Sequence, residues 1–170
     1  MKKKNILLIF LAIAAIMITI FIFLKYIDKN DVEKIDDEKF FNDFFEQIIS
    51  IENFKLFLHN EEDRLENNFK EYCNDRGISV LFENRIVSYN YKYILKHDIQ
   101  SYENLKVELL EESSDANKIF KDFKITYNYI DTNKNKYEMC DYYTINVIDN
   151  KIDYVKLNMD KSTVGEDWQN

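Results

Sequence analysis

The sequence predicts an α+β fold: an N-terminal transmembrane helix, then two amphipathic helices packed on a curved antiparallel sheet of about five to six strands. Three observations predict it. An uncharged apolar run fills Ile6 to Leu24. Phenylalanines recur at helical spacing from Phe40 to Phe45. From Ile78 onward the apolar residues alternate with a period of two.

The apolar run holds a single hydroxyl, Thr19, and no charge. At about 1.5 Å per residue it spans about 28 Å, close to a bilayer's hydrocarbon core. Lys2, Lys3 and Lys4 precede it, and Asp28 and Asp31 follow it. The positive-inside bias then places residues 1–5 in the cytoplasm and the rest of the chain outside it. Tyr26 stands at the expected aromatic interface. A cleaved signal peptide is the rival reading, with Ala12-Ile13-Ala14 as its small-x-small site. That site lies inside the apolar run, and strongly apolar residues continue to Leu24. Retention as a signal-anchor, residues 6–27, is therefore expected. No cysteine follows the run closely, which excludes a lipoprotein anchor, and the Gly and Glu of a pilin start are missing.

Charge divides sharply along the chain. Lys2, Lys3, Lys4 and Lys25 give the first 27 residues +4, which leaves −12 on the remainder of a chain of net charge −8. A domain this acidic repels phosphate backbones, so nucleic acid is excluded as a partner. The bilayer, through the N-terminal helix, is the first expected partner. An envelope protein is the second, and self-association is a further candidate.

Residues 28–36 form a polar linker, and the extracytoplasmic domain is expected over 37–159. Phe40, Phe41, Phe44, Phe45, Ile48 and Ile49 make one broad stripe of an amphipathic helix starting at Asp36 or Asp37. A second helix is expected from after Asn60 to about Arg76, burying Leu65, Phe69, Tyr72 and Cys73, with Gly77 as its stop. Strands are then expected at Ile78–Phe82, Tyr89–Leu95, Leu105–Leu109, Phe123–Tyr129, Tyr137–Val147 and Val155–Met159. Asp149-Asn150 suits a two-residue hairpin turn. Residues 160–170 are expected to form a flexible tail.

Helices first and strands afterwards, over roughly residues 37–159, resembles the nuclear-transport-factor-2-like or cystatin-like superfold. The resemblance rests on element order. It implies a helix wrapped by a strongly bent sheet that ends in a long hairpin. One N-terminal helix followed by such a domain is also similar in architecture to the bitopic scaffold subunits of conjugation and secretion machines. That likeness implies a role in protein–protein assembly at the cell envelope.

No catalytic, cofactor-binding or metal-binding residue is assigned. Cys73 and Cys140 are the only cysteines. They are either a disulfide pinning helix to sheet or two small buried residues. His59 and His97 form no motif with each other. Asp131, Asn133 and Asn135 match the start of a calcium loop, but Lys136 replaces its Gly and Tyr142 its Glu. A turn is the better account. Tyr89, Tyr91 and Tyr93 are candidates for a partner or pocket face, against the alternative of a half-buried sheet face. With almost no Gly there is no phosphate-binding loop. The leading functional expectation is a non-enzymatic assembly domain. A small-ligand sensor is the alternative, and a small hydrolase or isomerase is a third.

Overall fold

The computed structural model describes residues 37–115 and 118–163. The expected cytoplasmic tail, anchor and linker, with Lys2, Lys3, Lys4, Ile6, Leu24 and Tyr26, lie outside the described residues. Among the described residues no helix is long and apolar enough to cross a membrane.

The phenylalanine stripe folds as expected into α1, Asp37–Ile49. Asp37 and Glu38 stand in its first turn, where carboxylates favour the helix dipole. Phe41, Phe44, Phe45, Ile48 and Ile49 are buried. Ser50 then caps a further helix, α2, Ile51–Leu58, its hydroxyl accepting from the Asn53 N–H at 3.3 Å.

The single helix expected from Asn60 to Arg76 is broken in two. α3 covers Glu62–Asn67 and α4 covers Asp75–Glu83. Between them Cys73 forms a parallel bridge with Ile152. The Ile152 N–H donates to the Tyr72 carbonyl at 2.9 Å, and the Asn74 N–H donates to the Ile152 carbonyl at 3.1 Å. Docking against a strand thus replaces the helical bonds of this stretch. Gly77 is not a helix stop. It sits in the first turn of α4, because a Cβ there would stand 2.1 Å from the Ile152 carbonyl oxygen.

The expected strands at Ile78–Phe82 and Tyr89–Leu95 are helical. α4 buries Ile78 and Leu81, one turn apart. A 3-10 turn follows at Ile86–Ser88, and α5 spans Tyr91–Lys96. The buried members of this second stretch are Ile86, Val87, Ser88, Asn90 and Ile94, of which Ile86, Asn90 and Ile94 recur at helical spacing rather than in alternation.

The sheet therefore has four strands, fewer than expected. They are β1 (Ile99–Asp115), β2 (Lys118–Asp131), β3 (Lys136–Ile148) and β4 (Lys151–Leu157). They form an antiparallel meander in the order β1-β2-β3-β4. The expected apolar runs from Leu105, Phe123, Tyr137 and Val155 fall on these strands. Met159 belongs to a short 3-10 turn instead. Asp149 and Asn150 both take positive φ, 49° and 60°, as a tight hairpin with right-handed strand twist requires. Residues beyond β4 dock on β3: the Tyr142 N–H donates to the Ser162 hydroxyl at 3.0 Å, and the Cys140 N–H to the Thr163 hydroxyl at 3.0 Å.

Every second residue of the central strands faces the helices. Phe123, Ile125, Tyr127 and Tyr129 of β2, and Met139, Tyr143 and Ile145 of β3, are buried. α1 fills the space above them. The Phe41 and Phe45 rings lie 4.5 and 5.4 Å from that of Phe123, and Phe45 lies 5.2 Å from Tyr143. The inner sheet face is thus a phenylalanine-filled core. Truncating any one of these rings to alanine would cost about 3–5 kcal/mol.

Candidate functional site

Two charged residues stand inside the alternation of apolar residues, and each organises a site. The first is Asp141 on β3, with no exposure to solvent. Tyr127 on β2 donates its hydroxyl to Asp141 Oδ2 at 2.9 Å. The Asn90 amide, just before α5, donates to the Tyr129 hydroxyl at 2.9 Å and to that of Tyr127 at 3.3 Å. Burial, and then the charge of Asp141, pushes the phenols of Tyr127, Tyr129 and Tyr143 well above their ordinary value. Tyr89 is raised by the same two causes. These phenols therefore stay protonated near neutral pH, and those of Tyr127 and Tyr129 donate, to Asp141 and to the Ile49 carbonyl at 3.5 Å.

A carboxylate against a tyrosine in an apolar shell is the constellation that acid–base chemistry would use. Here it is enclosed. None of three surface clefts among the described residues is lined by Asp141. What the network does is fix position. A one-residue slip between β2 and β3 would turn Asp141 outward and break its bond to Tyr127.

The second site surrounds Lys121 on β2, 5% exposed. Its ammonium donates to Asp37 Oδ2 at 2.9 Å, forms an ion pair with Glu112 at 2.9 Å and lies 5.3 Å from the centre of the Phe41 ring. Burial alone would lower its pKa, but the hydrogen bonds and charges of the two carboxylates outweigh it and raise it. Lys121 thus ties the first turn of α1 to the β1–β2 arm. Beside it is a cleft of about 320 Å³ lined by Phe41, Val107, Leu109 and Phe123, with Asp37, Glu38, Glu112 and Lys121 as its charged members.

The candidates named from sequence are dispersed. Cys73 and Cys140 are free thiols. Cys73 packs on the helix side, beside Gly77 and Ile152. Cys140 lies between the inward-facing Met139 and Asp141, so its side chain leaves the opposite face of β3. The sheet separates the two. Burial pushes the Cys73 thiol up to about 12, with Lys151 opposing slightly.

Tyr89 and Tyr93 are half-buried on helical segments rather than on a sheet face, and Tyr91 opens α5. The Tyr93 ring lies 4.5 Å from His97, which in turn lies 4.7 Å from Tyr137. That packing accounts for His97. His59 is exposed at the end of α2.

The Asp131 turn closes on itself. Asp131 Oδ1 accepts from the N–H groups of Asn133 and Asn135, both at 2.8 Å. Its Oδ2 accepts from the Asn135 amide at 2.8 Å and from the Tyr137 hydroxyl at 3.1 Å. Desolvation opposes its charge, but these bonds prevail and hold the carboxyl below its ordinary range. Among the described residues no group of His, Cys, Asp and Glu could hold a metal ion.

Alternation offered a signal for Asp141 and Lys121: each sits two residues from an inward aromatic, in a strand whose register the aromatics set. No known family model matches this chain, and no curated protein or solved structure matches it either.

Proposed function

We propose that this chain is a single-pass membrane protein whose α+β domain, outside the cytoplasm, acts in protein–protein assembly at the cell envelope. The observation that carries this reading is where apolar surface is filled and where it is not. The inner sheet face, where a sheet-and-helix domain would hold a small ligand, is occupied by Phe41 and Phe45. Three of the five large apolar side chains exposed among the described residues, Leu109, Leu110 and Ile119, instead lie on the β1–β2 arm.

The uncharged run Ile6–Leu24 and the +4 to −12 charge split support the anchor and its direction. The order of helices before an antiparallel meander supports the likeness to the nuclear-transport-factor-2-like and cystatin-like architecture. Position at the membrane is then a large part of what the domain contributes.

Chemical crosslinking of the full chain in its native membrane, followed by sizing, tests the proposal. A discrete larger species is expected. A chain that remains monomeric at every crosslinker concentration refutes it.

A further inference from the structure

We infer that the cleft between the first turn of α1 and the β1–β2 arm is the docking site, and that its occupant is an extended segment carrying lysine or arginine beside an apolar side chain. The inference rests on the assembly reading and names the surface and the chemistry of the partner.

The argument begins with what α1 leaves uncovered. Val107 and Leu109 on β1 face the same way as their β2 partners, Ile125 and Phe123. Those partners are buried. Leu109 is 47% exposed, and Ile119, two residues before Lys121, is 38% exposed. An apolar floor therefore continues past the edge of α1. At 320 Å³ the cleft accepts one or two side chains, not a whole domain.

Charge selects the occupant. Asp37, Glu38 and Glu112 against Lys121 leave the lining at −2. Lys121 is already paired with Asp37 and Glu112, so it offers nothing to an incoming anion. Glu38 is exposed and has no ion-pair partner among the described residues. A cation entering the cleft meets a carboxylate, and an apolar side chain two residues along the same segment meets Leu109 and Phe123. A second copy of this domain would bring another −8, over residues 37–159, against the same surface, so a basic partner fits and a self-pair does not.

Backbone completes the site. β1 is an edge of the sheet, paired only with β2. Its outer N–H and C=O groups border the cleft and suit an added strand. Alternate side chains of such a strand would face the cleft, which matches a segment in which a basic and an apolar residue stand two apart.

Hydrogen exchange read by mass spectrometry on the full chain in neutral detergent tests this. The probes are short capped peptides with repeats of Lys-Ser-Leu-Ser, Glu-Ser-Leu-Ser and Lys-Ser-Ser-Ser, which put the named charge and Leu on one face of a strand. The Lys–Leu peptide is expected to slow exchange in β1 around Val107–Glu112 and in the first turn of α1. Neither control should do so. Leu109→Ser, at an exposed position that lines the cleft, is expected to weaken binding by about tenfold. Glu38→Gln is expected to weaken it about threefold and to reduce its salt dependence. Equal protection by the Glu–Leu peptide, protection elsewhere, or binding unchanged in the Leu109→Ser variant overturns the inference. So does protection of β1 that rises with protein concentration alone, which would mean a second copy covers the face. If membrane crosslinking still yields a complex in any of those cases, the assembly reading stands and only this surface falls.

Discussion

Replacing Gly77 with alanine sets two physical effects against each other. Gly77 is helical, with no positive φ, so alanine gains about 1 kcal/mol of helix propensity. The new Cβ, however, would stand 2.1 Å from the Ile152 carbonyl oxygen and 3.0 Å from its carbon. Those atoms are backbone of β4 and cannot swing aside. α4 must retreat by about an ångström to restore van der Waals contact. Retreat strains the Asn74–Ile152 and Tyr72–Ile152 backbone bonds and the reach of Asn74 and Arg76 to Asp153, at 3.0 and 2.9 Å. Two backbone bonds weakened at about 1 kcal/mol each, with about 1–3 kcal/mol for overpacking, exceed the propensity gain. The net expectation is a loss of about 2–4 kcal/mol, or about 6–16 °C in Tm for a domain of this size. Guanidinium and thermal unfolding followed by circular dichroism measure it. A variant as stable as the parent, or more so, would refute the close approach of α4 to β4.

Tyr127→Phe leaves Asp141 without its tyrosine donor and should cost about 1–3 kcal/mol by denaturant titration. Pairing it with Asp141→Leu should cost less than the sum of the single changes, since the pair then leaves no stranded charge. Asp131 has a folded pKa below its unfolded one, so it contributes stability above the ordinary carboxylate value. That contribution is lost as pH falls through the folded pKa. Asp131→Asn should lower stability at neutral pH and flatten its decline below about pH 4, read from unfolding midpoints across pH. Native alkylation at pH 8 without reductant should label Cys140 and spare Cys73, whose thiol is buried and pushed up to about 12. Protection of both cysteines, reversed by reductant, would mean that they are bridged.

Legibility in the sequence followed how local each determinant was. α1 was legible because six apolar residues share one helical face. β2, β3 and the Asp149-Asn150 turn were legible because alternation and turn chemistry agree there. Residues 78–95 misled because Ile78, Val80 and Phe82, and the tyrosines at 89, 91 and 93, are spaced by two. Their buried face runs instead through Leu81, Ile86, Asn90 and Ile94, and so includes an asparagine satisfied only by tyrosines far along the chain. The break at Cys73 is likewise tertiary, since its replacement hydrogen bonds come from β4. Ser50, by contrast, was a local cap signal for a helix that sequence analysis did not assign. For the sites, composition could not separate Asp141 and Lys121 from the many solvated charges. Only strand register turns them inward, and only tertiary packing brings Asp37 and Glu112 to Lys121.

Site-directed photocrosslinking in native membranes tests the proposed assembly role most directly. A photoreactive residue is placed in turn at Leu109 on the β1 edge, at Lys156 on β4 and at His59 at the end of α2, all exposed. A discrete adduct from Leu109, and none from the other two, is the predicted result. No adduct from any position, or equal adducts from all three, would contradict a domain that works by docking one partner on its uncovered apolar edge.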